Sequence, residues 1–174
     1  MEQFKEIYAA DMKRYQNKAG RYMRKLLYFF RKGQCCKNKL LGLYYRARFA
    51  RLKEKRGIEL PASTRIGKGL YLGHAYNITV NANAQIGENC NLHKGVLIGQ
   101  ENRGPRKGVP TIGNSVWIGI NAVVVGKVTI GDDVLIAPNS YVNCDVPSHS
   151  VVFGNPCVIK PKENATKNYI AYKA

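Results

Sequence analysis

The fold class this sequence predicts is mainly β: a three-sided parallel β-helix preceded by a short, basic, α-helical N-terminal region. Three observations predict it. Aliphatic residues recur at every sixth position through most of the chain beyond residue 57. Glycine often follows the aliphatic residue. The residues before 57 lack the beat and carry most of the positive charge.

The beat is clearest in "TIGNSVWIGINAVVVGKVTIGDDVLIAPNSYV", residues 111–142, where Ile112, Ile118, Val124, Ile130, Ile136 and Val142 fall six apart. A helix repeats at 3.6 residues and a simple strand at 2, so neither explains a period of six. One short strand and a turn per hexad does. Three hexads then close a triangular coil of about 18 residues, and coils stack into a β-helix. The aliphatic residue points into the prism. A small or β-branched residue four positions later (Val116, Ala122, Val128, Val134, Ser140) fits near a corner.

The beat extends upstream in two further registers. Leu60, Ile66, Leu72 and Ile78 share one, and Val80, Ile86, Leu92 and Ile98 share another, so the phase slips by two between Ile78 and Val80. Between Ile98 and Ile112 lies "GQENRGPRKGVPT", with two Pro, three Gly and three basic residues. This composition predicts a loop over 100–111 that leaves the prism, and a rigid scaffold commonly displays functional groups on such a loop. The division is therefore an arm over 1–57, a β-helix over 58–160 and a tail over 161–174.

In the arm, "RYMRKLLYFFRK" aligns Tyr22, Leu26, Phe29 and Phe30, and "NKLLGLYYRARFARLK" aligns Leu41, Tyr45, Phe49 and Leu52. Both are helical stripes. Packing against the β-helix, with the basic residues solvated, is the plainer reading; contact with an anionic membrane surface is the sharper one. The 174 residues hold 28 Lys and Arg against 11 Asp and Glu, a net charge of +17. Residues 1–60 hold 17 basic and 5 acidic residues, so +12 of it lies there. Such a patch suits a polyanion, although no nucleic-acid motif accompanies it. The five cysteines lack metal-ligand spacing and read as reduced and cytosolic. The N-terminus has no signal-peptide apolar core, and no apolar run is long enough to span a bilayer.

Residues 58–160, with these repeats, resemble the hexapeptide-repeat acyltransferases. "TIGNSVWIG" and "VPSHSVVFGNPCVI" resemble their late coils and closing segment, and "IELPASTRIGKGLYLGHAYNITV" resembles the catalytic stretch of serine acetyltransferases and of related O-acetyltransferases of surface-polysaccharide synthesis. The resemblance implies left-handed coils, acetyl-CoA as co-substrate, and a homotrimer or a multiple of trimers with sites between subunits. The family's catalytic His, in a Leu-Asp-His-Ala motif, falls on His74 of Leu72-Gly73-His74-Ala75. Its orienting Asp falls on Glu59. Two positions depart from the pattern. Gly73 stands where the family's Asp helps to receive serine, and Val109 stands where it has a second His. These departures, the short basic N-terminus and the loop point to a sugar hydroxyl as acceptor, ahead of serine. A non-catalytic, membrane-associated assembly module is the reading of a different class.

The chemistry needs little else. A His near its unperturbed pKa of about 6.5 suits a general base, and a carboxylate on its other nitrogen fixes the tautomer. Backbone N–H groups near Gly99 are candidate donors to the thioester oxygen. Lys127, Lys160 and Lys162 are candidates for the CoA phosphates. His93, close to one coil after His74, is a candidate substrate-binding residue with Gly73. His149 reads as incidental. Trp117 should face outward, against a neighbouring subunit before a cofactor. No metal is expected, because the three His lack a close pair.

Overall fold

The computed structural model describes residues 2–174: three helices set against a three-sided stack of short strands. The helices are α1 (Glu2–Arg14), α2 (Arg21–Cys35) and α3 (Lys39–Glu54). The Asn38 side chain caps α3 by accepting a hydrogen bond from the Leu41 N–H at 3.0 Å, which satisfies a donor the helix itself leaves unpaired. α1 is additional to the two helices predicted. Its buried positions are Phe4, Asp11, Met12 and Arg14, and two charged residues among four hide the apolar period.

The strands lie in three parallel ladders. The first face stacks Arg65–Ile66, Gln85–Ile86, Thr111–Ile112 and Thr129–Ile130. The second stacks Tyr71–Gly73, Asn91–His93, Trp117–Ile118, Val134–Ile136 and Ser150–Phe153, and Val158–Pro161 closes it antiparallel. The third stacks Thr79–Val80, Leu97–Gly99, Val123–Val125 and Tyr141–Val142. The hexad residues are the stacked ones: Ile66, Ile86, Ile112 and Ile130 on the first face, Leu72, Leu92, Ile118 and Ile136 on the second, Val80, Ile98, Val124 and Val142 on the third. All are buried, and each contributes on the order of 1.5–3 kcal/mol.

Three corners break the six-residue step; one of them, from Val142 to Val146, which pairs with Ile130, is only four positions. From Ile98 to Ile112 the loop leaves the prism, and Glu101 and Gly108 pair across its base, each N–H donating to the other's carbonyl at 2.9 Å. From Leu72 to Val80 the step is eight positions, with Ile78 buried and Thr79–Val80 already paired to Leu97–Ile98. The two extra residues therefore sit within His74–Asn77, not between Ile78 and Val80, where the phase alone had put them.

Buried cations dock the arm. Arg31, 1% exposed, donates from Nε to Asp11 Oδ2 at 2.7 Å and from its terminal nitrogens to the carbonyls of Ile66 and Gly67 at 2.8 and 2.7 Å. Asp11 Oδ1 accepts from the Leu70 N–H at 2.9 Å. Arg14 donates to the Gly69 carbonyl at 2.8 Å, to Asn91 Oδ1 at 2.6 Å and to the Ala171 carbonyl at 2.9 Å. Around them Met23, Leu26, Leu27 and Phe30 are buried, with Phe30 and Phe49 rings 5.1 Å apart. Tyr22 and Phe29 of the predicted stripe are only half-buried, and Leu41 is exposed.

The tail runs back along the second face. Asp133 accepts from the N–H groups of Ala165 and Thr166, both at 3.0 Å, and from the Thr166 hydroxyl at 2.6 Å. Further along, Asn91 donates to the Tyr169 carbonyl at 3.3 Å, and the Ala174 N–H reaches Asn89 Oδ1 at 2.7 Å. Among the described residues no helix is long and apolar enough to cross a membrane.

Removing one member of a buried ion pair strands the other. Asp11→Ala should therefore lower the unfolding free energy by about 3–5 kcal/mol, read by urea denaturation, with α1 losing amide protection before the coils do. A loss below about 1 kcal/mol would place the arm's attachment elsewhere.

Candidate functional site

The long corner carries His74. It follows the Tyr71–Gly73 strand with φ +48°, in the left-handed region that costs a residue with a Cβ energy and persists only where neighbours impose it. The neighbours here are Ala75 and Ile78, both buried, and Asn77, whose N–H donates to the Arg56 carbonyl at 2.9 Å. The Arg56 guanidinium lies 4.5 Å from the Tyr76 ring centre. The corner is pinned beyond His74, and the imidazole is exposed.

Glu59 opens the third face one rung above. Its N–H donates to the Ile78 carbonyl and its carbonyl accepts from the Val80 N–H, both at 2.8 Å. His74 thus lies on the corner leading into the rung that Glu59 covers. Among the described residues no hydrogen bond or ion pair joins the two side chains. Glu59 also lines an open groove of about 610 Å³ along the third face, with Lys53, Thr79, Asn81, Leu97, Gly99 and Gln100. Gly99 ends its strand at the loop base, paired with Val125. Its carbonyl accepts from the Gly126 N–H at 3.3 Å.

Lys127 lies under the loop, its N–H bonded to the Arg106 carbonyl at 2.8 Å. Arg103 and Arg106 line a cavity of about 250 Å³ beside it, with Glu101, Pro105, Val125 and Asn143, and Arg106 donates to the Asn143 carbonyl. These two arginines lie on the loop that bonds to the Lys127 backbone. The sequence offered the loop's basic composition as a signal but did not single them out. Lys160 and Lys162 are elsewhere, on and just beyond the closing antiparallel strand, where Lys160 Nζ lies 5.7 Å from the Phe153 ring centre.

His93 sits beside Gly73 in register on the second face. Its ring lies between Tyr71, 6.2 Å away, and Trp117, 4.7 Å away. Burial, with His74 nearby, pushes its pKa down to about 4. Its Nε2 is buried and has no partner among the described residues. Trp117 faces outward from the prism and is half-buried within the chain, against His93 and, at 5.1 Å, Tyr169. His149 is not incidental. Its Nδ1 lies 2.9 Å from Asp133 Oδ2, which raises its pKa. Burial would raise the Asp133 carboxyl, but bonds from Thr166, His149 and Ala165 outweigh it and hold it near 2. This pair therefore clasps the tail. Among the described residues no group of three or more His, Cys, Asp or Glu forms a metal-ligand cluster.

Comparison with known proteins agrees with this fold. Residues 110–144 match the family described as bacterial transferase hexapeptide (six repeats). A serine acetyltransferase of Helicobacter pylori is 34% identical over 99 residues, covering 57% of this chain and 58% of that protein. One of Staphylococcus xylosus is 36% identical over 100 residues, covering 58% and 46%. This chain thus spans little more than half the length of such relatives, or less. Among solved structures, the soybean serine acetyltransferase apoenzyme superposes with a TM-score of 0.77 at 23% identity, covering 92% of this chain and 70% of that one. The Neisseria gonorrhoeae serine acetyltransferase in complex with serine gives 0.70 at 26%, covering 91% and 69%. The chain is thus similar to serine acetyltransferases, carries hexapeptide repeats over residues 110–144, and shares the β-helical fold of those solved structures.

His93 supplies a pH test of this packing. Its folded pKa lies below the unfolded value of about 6.5, so its contribution to stability is complete above 6.5 and falls away as pH drops toward 4. Ring NMR should find His93 titrating near 4, and His93→Leu should flatten the stability–pH curve between 6.5 and 4. A midpoint near 6.5 would mean the ring is solvated.

Proposed function

We propose that this chain is an acetyl-CoA-dependent O-acetyltransferase, with His74 as general base and Glu59 as the carboxylate that orients it. The observation that carries the reading is the placement of the motif histidine. In a chain similar to serine acetyltransferases, a corner two residues longer than the hexad holds His74 exposed at φ +48° and leads into the face whose groove Glu59 and Gly99 line.

The acceptor's hydroxyl proton passes to His74 as its oxygen attacks the thioester carbonyl carbon. A C–O bond forms, and the tetrahedral oxyanion draws on preorganised N–H donors near Gly99. The C–S bond then breaks, and the CoA sulfur takes the proton from His74. Glu59, swung toward the ring, stabilises the transient imidazolium. Lys127, Arg103 and Arg106 are the cations suited to the CoA phosphates. Lys160 and Lys162 fit that role only if another subunit brings its groove to them.

The names of the relatives favour serine as acceptor. A sugar hydroxyl, as in surface-polysaccharide assembly, is the second reading, favoured by the absence of any side chain at Gly73. Assembly as a homotrimer would place the open third face against a neighbour. The arm supports a cytoplasmic protein held peripherally at an anionic membrane: Leu40, Leu43 and Tyr44 are exposed on α3, with Lys37, Lys39 and Arg48 around them. Light scattering and salt-dependent vesicle sedimentation test these two points.

His74→Ala should fold, because His74 is off the inner column, and should lose about two to four orders of magnitude in acetyl transfer, read as CoA release with serine and with a sugar panel. Glu59→Gln should cost less, since it keeps a hydrogen bond. Wild-type turnover by folded His74→Ala would remove His74 from the mechanism.

A further inference from the structure

The last coil needs a cap. Tyr141–Val142 ends the third ladder, with Val123–Val125 on one side and, among the described residues, no strand on the other. An uncovered strand edge at the end of a stack frays or pairs with another chain. The closing hairpin covers this one. Between the Ser150–Phe153 and Val158–Pro161 strands the chain turns over the rung, and the Tyr141 N–H donates to the Gly154 carbonyl at 3.0 Å. The same turn brings Cys157 to Cys144, two positions past Val142, with the sulfurs 3.7 Å apart. Arg106 of the 100–111 loop donates to the carbonyl of Asn143, the residue before Cys144. Cap and loop therefore meet at one corner.

The other three cysteines are placed differently. Cys90 is buried, which pushes its thiol up to about 12. Cys35 and Cys36 lie at the end of α2, in the arm. Cys144 and Cys157 are both half-buried, so a small oxidant reaches them from solvent. Burial and the Cys157 contact raise the Cys144 pKa, Asp145 adds to the rise and Arg106 opposes it. The thiol form therefore prevails at neutral pH, and the pair rests reduced. Backbone hydrogen bonds hold the two sulfurs in contact, so once one is oxidised the other is its nearest nucleophile.

We propose that Cys144 and Cys157 form a redox site: a hydroperoxide joins them in a disulfide that locks the closing hairpin onto the last coil, and a dithiol reopens it. With hydrogen peroxide, one thiolate attacks a peroxide oxygen, the O–O bond breaks and a sulfenic acid forms. The second thiolate attacks that sulfur, the S–O bond breaks and hydroxide leaves as the S–S bond forms. The two thiols lose two electrons, and the peroxide takes them up with the two thiol protons as two molecules of water. The site is separate from the acetyl-transfer chemistry and does not rest on it.

The experiment treats the reduced full-length protein with hydrogen peroxide at about pH 8, where more thiolate is present, and maps its peptides by mass spectrometry without reductant. The expected product is a cross-linked pair of peptides carrying Cys144 and Cys157, lighter than the reduced pair by two hydrogens. The oxidised protein should melt about 5–10 °C higher, because the bond closes a loop whose ends lie 13 positions apart. The Tyr141 amide should exchange more slowly, and dithiothreitol should reverse both effects. Cys144→Ser and Cys157→Ser should each abolish the cross-link and the rise, whereas Cys36→Ser should keep both. The inference is overturned if peroxide leaves the two residues as thiols, takes them separately to sulfinic acids, or couples either to Cys35 or Cys36. A Cys144–Cys157 disulfide with no rise in melting temperature overturns it as well.

Discussion

The inward stack of hexad residues constrains everything else in this molecule. Ile66 lies over Ile86, Leu72 over Leu92 and Val80 over Ile98, and the same contact repeats down each face. A residue gained or lost within a strand would turn the buried side chain outward. Length can change only at corners, where no ladder bond is lost. The departures from the hexad obey this, and all fall at the edges of the third face: the His74 corner where it begins, and the 100–111 loop and the four-residue Val142–Val146 corner where it ends. The groove between them is a product of the packing rule as much as of the residues in it.

The coils also dictate how the rest attaches. Short strands leave corner carbonyls pointing outward, and Arg31 and Arg14 satisfy those of Ile66, Gly67 and Gly69 from beneath the arm. Their charges are not part of the surface field, which leaves the other arm cations to supply it. The tail fastens at one end to Asp133 and His149 and at the other to Asn89 and Arg14. Together α1 and the tail cover the second face and bury the ring of His93 beside Gly73. The cover thus shapes the edge of the site without contributing a reacting group.

Much of this was legible in the sequence, for reasons particular residues make plain. Ile112 through Val142 show their period because one face of each hexad must be aliphatic, and the loop shows because Pro and Gly cannot hold the beat. The motif around His74 and the position of Glu59 were readable by resemblance. Other features carry no periodic signal. The slip could not be located within its corner, because Ile78 is buried in either phase. α1 was hidden because Asp11 and Arg14 hold buried positions through hydrogen bonds, not hydropathy. Tyr169 meets Trp117 only because the tail doubles back over some fifty residues of sequence, from Trp117 to Tyr169. The clasp between Asp133 and Thr166 is likewise a long-range contact between ordinary surface residue types.

In the proposed reaction, His74 depends on a corner two residues longer than the hexad allows. Deleting Ala75 and Tyr76 restores a six-residue step between Leu72 and the next inward valine while leaving His74 in the chain. Acetyl transfer by this deletion variant, with folding checked by circular dichroism and thermal unfolding, tests the claim most directly. The expected result is a folded β-helix with transfer reduced to the level of a chain lacking the histidine. A folded variant that transfers acetyl at the parent rate would contradict it.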